Sequence, residues 1–202
     1  MKNQPITAST KQQSKPTIKR RNIPQNNSKS NASPTTTQHN QPPKLCLNMS
    51  ATFQLNINGI NEACQQYKIK AIEEMIHSSN QYIPYFVITE SHLKTRNRDI
   101  EIAIKDYSTL RSDRPIIYKG GAVIYTHNNF VVDDHDTYAD KICQSVMVYN
   151  STNNLILVAV YRPPGADATS FQSCMMKLED FISKHSDADI HLYGDFNMRF
   201  VD

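Results

Sequence analysis

Hydrophobic positions begin to recur with a period only after residue 50. Across residues 52–58, Phe53, Leu55 and Ile57 alternate with Gln54, Asn56 and Asn58. That is the two-residue period of a strand with one buried face, and Gly59 ends it. In residues 65–79, Ile69, Ile72 and Ile76 recur at steps of three and four with Met75 beside them, which predicts an amphipathic helix. Pro84 precedes the apolar run Tyr85-Phe86-Val87-Ile88, a short buried strand leading into Thr89-Glu90. Further strands are predicted over 106–110 and 121–126, punctuated by Gly120-Gly121. Residues 143–149 and 154–161 read as a hairpin about Ser151-Thr152-Asn153. Phe171, Met175, Leu178 and Ile182 mark a second helix over 169–184, and a last strand covers 189–193 before Gly194-Asp195-Phe196-Asn197. Helices alternate with strands throughout, so the class is α/β (α+β layered) with stacked layers, and no internal repeat is visible.

The first 44 residues have no such period. They are rich in Gln, Asn, Ser, Thr, Lys and Pro, and hold six of the ten prolines. A segment of this kind cannot bury enough apolar surface to offset its ordering entropy, so 1–44 is expected to be a disordered tail and 45–202 the folded domain. Charge sharpens that boundary. The 202-residue chain has a net charge of +3, but residues 1–44 carry eight basic residues and no acid. Residues 45–202 are left with 14 basic and 19 acidic residues, a net charge of −5. The whole-chain pI of 8.6 therefore does not describe a basic folded domain. Lys19-Arg20-Arg21 reads either as a nuclear-import or nucleic-acid contact or as part of a solvated linker.

No apolar run approaches the ~20 residues needed to cross a bilayer, and the N-terminus shows no signal-peptide core, so no membrane partner is expected. The expected location is nuclear or cytoplasmic, not secreted. Cys46, Cys64, Cys143 and Cys174 are widely spaced and suggest free thiols rather than a disulfide framework or a zinc site.

Candidate chemistry gathers at strand ends. Asn56 and Asn58 end the first predicted strand, Glu90 the second, Tyr161 the hairpin, and Asp195 with Asn197 the last. Groups placed in this way face one rim of a sheet, where a rigid scaffold commonly carries its active loops. The set suits metal-assisted phosphodiester hydrolysis. Glu90 is a hard oxygen ligand for Mg²⁺ (or Mn²⁺). Asp195 can orient or deprotonate an attacking water, while Asn56, Asn197 and Tyr161 can donate hydrogen bonds to phosphate oxygens. Taken singly, each residue also has an ordinary reading: a cap, a turn, a solvated charge or a strand exit. Arg96, Arg98, Arg111, Arg114 and Arg162 could form a local basic surface for phosphate contacts, or be ordinary solvated charge.

Taken in order, Leu55-Asn56-Ile57-Asn58-Gly59-Ile60, Ile88-Thr89-Glu90-Ser91-His92-Leu93, Val160-Tyr161-Arg162-Pro163-Pro164 and Tyr193-Gly194-Asp195-Phe196-Asn197 resemble the endonuclease/exonuclease/phosphatase superfamily. The Tyr-Arg-Pro-Pro string makes the apurinic-type endonuclease domain of non-LTR retrotransposons the most similar in appearance. The resemblance covers about residues 50–202 and implies a DNase I-like four-layered α/β sandwich. It implies that Asn56, Tyr161, Asp195 and Asn197 are the catalytic residues and that Glu90 is a metal ligand. It places Asn58 where many members have an Asp that assists the metal. It implies DNA as partner, with RNA as a further partner through the basic tail; the oligomeric state is left open.

The resemblance also implies further strands and a closing Ser-Asp-His motif beyond Asp202. The chain is thus expected to be C-terminally incomplete, with open sheet edges, and by itself a feeble nuclease. His92, His127, His135, His185 and His191 fall outside that motif's order and are expected to be surface or loop histidines. The alternatives are a non-catalytic nucleic-acid-binding remnant and a phosphatase of the same superfamily.

Overall fold

The computed structural model describes residues 51–60, 65–115, 119–166 and 168–198. The tail assigned to 1–44, together with Cys46 and Cys64, lies outside them.

Eight strands and two α-helices run in the order β1 (Gln54–Asn56), α1 (Gln65–Ser78), β2 (Tyr85–Thr89), β3 (Tyr107–Ser112), β4 (Ala122–His127), β5 (Asp134–Ala139), β6 (Gln144–Asn150), β7 (Leu155–Tyr161), α2 (Ala168–Lys184) and β8 (Asp189–Asp195). One sheet has the order β1-β2-β4-β3 and the other β5-β6-β7-β8. In the first, β1 and β2 are parallel and joined through α1; in the second, β7 and β8 are parallel and joined through α2. The other neighbours are antiparallel. Parallel neighbours need a crossover, and a helix supplies it by covering the sheet face it crosses.

Alternation along β2 and β7 sets the layers. On β2, Phe86 and Ile88 face α1, packing with Ile69, Ile72, Val123 and Tyr125. Tyr85 and Val87 face the second sheet and meet Val146, Val148, Leu157 and Ala159. On β7, Ile156, Val158 and Val160 face α2 and pack with Cys174, Leu178 and Phe181. The order is therefore helix, sheet, sheet, helix: the four-layered α/β sandwich. A strand buried on both faces reads as an unbroken apolar run, which is why 85–88 and 155–161 carry no alternation in sequence.

β5 had no counterpart among the expected strands. Its sequence, Asp-His-Asp-Thr-Tyr-Ala, is polar because it is an edge strand with alternate residues exposed. Its inward acids are matched by α2 and the residue after it, Asp136 by Lys177 at 2.6 Å and Asp134 by His185 at 3.1 Å. Inward charge on an edge strand also discourages pairing with another chain. The opposite edge, β8, leaves Ile190 and Leu192 about half exposed. Cys143 and Cys174 are free, buried thiols in the same core. Among the described residues no helix is long and apolar enough to cross a membrane.

Candidate active site

The carboxyl ends of β1, β2, β7 and β8 lie at one end of the sandwich, and each delivers a candidate residue. Asn56 pairs in register with Thr89, which precedes Glu90, and Tyr161 pairs with Asp195. Two side-chain bonds join these pairs across the sheets. The Asn56 Nδ2 donates to Asp195 Oδ2 at 2.9 Å, and the Tyr161 hydroxyl donates to Glu90 Oε1 at 3.0 Å. Asn56, Asp195, Tyr161 and Glu90 thus close a circuit, with strand pairing on two sides and side-chain hydrogen bonds on the other two. Two further bonds fasten β1 to β8: Thr52 Oγ1 meets the Tyr193 hydroxyl at 2.8 Å, and the Gly194 N–H donates to Gln54 Oε1 at 3.1 Å.

Tyr161 is buried and its phenol is pushed well above its ordinary value, by burial first and then by the bond to the Glu90 carboxylate. It therefore stays a protonated donor at neutral pH. Asn56 is oriented on both sides. Its Oδ1 accepts from the Asn58 N–H at 3.1 Å, which fixes the amide so that its NH₂ faces Asp195. Asn58 takes part through its backbone, since its carbonyl also accepts from Lys68 Nζ at 3.2 Å. Asn197 donates from Nδ2 to the Arg162 carbonyl at 2.9 Å, which sets it in the loop immediately after Asp195.

Backbone strain is concentrated here. Of the seven non-glycine residues with positive φ among the described residues, Asn58 (45°), Glu90 (53°), His92 (55°) and Asn197 (44°) belong to these loops. Such conformations persist only where surroundings over-determine them, and they cluster at functional sites. The surroundings can be named. Lys68 reaches from α1 to the carbonyls of Ile57 at 2.7 Å and Gly59 at 2.6 Å. The segment after Glu90 is held by N–H bonds from Ser91 to the Gly121 carbonyl and from His92 to the Gly120 carbonyl. Gly121, at φ +96°, comes so close that a Cβ there would lie 2.5 Å from Ser91 Oγ.

Three residues shape the site in ways the sequence did not indicate. Lys68 is one. His92 is the second: it is half-buried beside Glu90, and its Nε2 is buried without a hydrogen-bond partner. Burial first holds His92 below its ordinary pKa, with Lys119 and Lys68 adding to that and Glu90 opposing it. The third is Arg162, whose Nη1 donates to the carbonyls of Phe196 at 3.2 Å and Asn197 at 3.3 Å, and whose Nη2 donates to the Ala166 carbonyl. His92 and Arg162 lie within the quoted motifs, whereas Lys68 had no signal beyond its place on the first helix.

The expected basic surface is corrected by these contacts. Arg162 is committed to backbone carbonyls. Arg111 is only 17% exposed and bound to Asp99 and Asp113. Arg98 is paired with Glu101. Of the histidines, His185 stacks on Tyr149 and bonds Asp134, and His191 bonds the Tyr85 hydroxyl at 2.6 Å. Both brace the sandwich rather than standing as free surface groups.

Among the described residues no three acidic, histidine or cysteine side chains gather to hold a metal ion; the carboxylates at this rim are Glu90, bonded to Tyr161, and Asp195, bonded to Asn56. Mg²⁺ is commonly held by one or two carboxylates, with water and phosphate oxygens completing its octahedron.

No known family profile and no curated protein matches the sequence. Solved structures do match. The human Nocturnin catalytic domain is 11% identical, with a TM-score of 0.51 over 72% of this chain and 63% of that one. The 3′ phosphatase NExo from Neisseria, bound to a product DNA hairpin, is 15% identical, with a TM-score of 0.50 over 73% and 56%. An endonuclease/exonuclease/phosphatase family protein from Bacteroides thetaiotaomicron is 12% identical, with a TM-score of 0.48 over 73% and 61%. Over about 72% of its length the chain thus shares the α/β fold of the Nocturnin catalytic domain and of NExo. It spans between 46% and 63% of the length of the solved chains it matches.

Proposed function

We propose that this chain is a Mg²⁺-dependent phosphodiesterase domain acting on DNA, of the type found as the endonuclease of non-LTR retroelements. The observation that carries the reading is the closed circuit of Asn56, Asp195, Tyr161 and Glu90 at four parallel-running strand ends. A divalent cation bound there would supply positive charge to a phosphate oxygen. Glu90 and Asp195 are the residues to hold it, and the Asn58 carboxamide is a further oxygen donor on the neighbouring loop. The Tyr161 hydroxyl and the Asn56 and Asn197 amides are the donors for phosphate oxygens. Asp195, oriented by Asn56, is the group to align or accept a proton from the attacking water. The Tyr-Arg-Pro-Pro string supports the retroelement assignment, and Mn²⁺ is expected to substitute for Mg²⁺.

The test is nicking of supercoiled plasmid by the purified full chain. Weak metal-dependent nicking is expected, lost in Glu90→Gln and in Asp195→Asn with the far-ultraviolet circular dichroism unchanged. Nicking that both variants retain would overturn the assignment. DNA binding with no cleavage by the wild type would favour a non-catalytic binding module. Turnover of a soluble phosphomonoester with none of DNA would favour a phosphatase.

A further inference from the structure

Residues 45–202 are acidic overall, and acids and bases occur at both ends of the sandwich. Asp106, Asp133, Asp187 and Asp189 lie at the end away from the candidate site, where β3, β5 and β8 begin. At the site end, Lys119 stands on the loop entering β4, and Lys141 on the turn between β5 and β6. These loops belong to different sheets, and one guanidinium ties them together. Arg114 donates from Nη1 to the Lys119 carbonyl at 2.7 Å and from Nε to the Lys141 carbonyl at 2.8 Å, with Nη2 on the same Lys141 carbonyl.

Arg114 thus joins the backbone of the two loops that carry Lys119 and Lys141. Both lysines are exposed, and neither ammonium meets an acid among the described residues. Neighbouring acids are occupied elsewhere. Asp140 accepts from the N–H groups of Ile142 and Cys143 and from the Tyr138 hydroxyl, and Asp113 faces Arg111.

The pair adjoins the Tyr161 flank of the site. Gly120, next to Lys119, lies so near that a Cβ on it would be 3.0 Å from Tyr161 Cε1. Gln144, three residues past Lys141, is the register partner of Tyr161 and accepts the Gly121 N–H at 3.2 Å.

We infer that Lys119 and Lys141, on the loops joined by Arg114, form a seat for the sugar–phosphate backbone of DNA whose scissile phosphodiester lies against Tyr161. The inference rests on the phosphodiesterase reading and adds to it the basis for choosing polymer over small phosphoester. Two exposed, unpaired ammonium groups beside a reacting phosphate contact phosphates and position the strand without reading bases.

The experiment measures binding of the full chain to a short fluorescent DNA duplex in EDTA across a KCl series. Three proteins are compared: wild type, Lys119→Gln/Lys141→Gln, and a control, Lys105→Gln/Lys184→Gln, altered at the opposite end. Each phosphate contact contributes about 0.9 to the slope of log K against log salt, so the seat variant is expected to lose about 1.8 from the slope. The control is expected to keep the wild-type slope, and the basic tail is common to all three. An unchanged slope in the seat variant, or an equal loss in the control, would overturn the inference. In a second arm with Mg²⁺, the seat variant should raise KM for plasmid while leaving turnover of bis-(p-nitrophenyl) phosphate unchanged. If no protein hydrolyses either substrate, the phosphodiesterase reading fails, and the salt slopes still decide whether the seat exists.

Discussion

Asn56 shows how much one residue can depend on its neighbours' backbone. Its amide is useful at the site only in one of two flips, and the Asn58 N–H selects that flip. Asn58 can do so because it sits at φ 45°, where Lys68 anchors the loop carbonyls around it. Asn58→Gly should therefore fold with little loss of stability, because glycine tolerates that region. Asn58→Val should lose about 1–2 kcal/mol, because a β-branched residue does not. Equilibrium urea unfolding of the two variants checks this, and equal stability would mean that the left-handed loop does not form. The candidate residues themselves were legible in sequence, since polar groups ending apolar runs stand out. The supports were not. Lys68 and Arg162 bind carbonyl oxygens, which every residue has, so no residue type advertises the partner. His92 reads as a loop histidine until its ring is found packed under Gly59.

At the scale of elements, two glycines set how closely the site loops can approach. A Cβ on Gly121 would lie 2.5 Å from Ser91 Oγ, at a φ that side chains rarely adopt. A Cβ on Gly194 would lie 2.8 Å from the Val160 carbonyl, in the strand pairing that places Asp195 beside Tyr161. Gly121→Ala and Gly194→Ala should each cost about 1–3 kcal/mol and lower Tm by roughly 3–10 °C. Thermal melts of both variants read this directly, and a melt within a degree or so of wild type would contradict the close approach. Strands buried on both faces and helices with one apolar stripe were easy to find from pattern. β5 was not, because its inward positions are aspartates matched by α2 and the residue after it. Pairing of that kind depends on the tertiary fold, and hydrophobic periodicity carries no trace of it.

Across the whole molecule, tyrosines link the layers and make stability sensitive to alkali. Burial is the leading cause that pushes Tyr85, Tyr125 and Tyr161 well up, and it takes Tyr107 to about 12. Each folded-state value lies above the ordinary 10.0, so between pH 10 and about 12 the unfolded chain has lost protons that the folded chain keeps. Stability is thus fully present below pH 10 and falls as pH rises through that window. Spectrophotometric titration should show these phenols ionising together with unfolding. Reversible ionisation of all ten tyrosines near pH 10 without loss of structure would contradict the burial of the layers. The four-layer arrangement could be anticipated because it rests on alternation and on motif order. The joining of the Lys119 and Lys141 loops by Arg114 could not, since it depends on which loops the topology brings together.

On the proposed function, strand ends from both sheets assemble one divalent-ion and phosphate site. Mn²⁺ binding to the full chain, followed by the relaxation of water protons, tests it without relying on turnover. Binding that weakens at least tenfold in Glu90→Gln and also in Asp195→Asn is the expected result. Binding indifferent to both substitutions would contradict the claim.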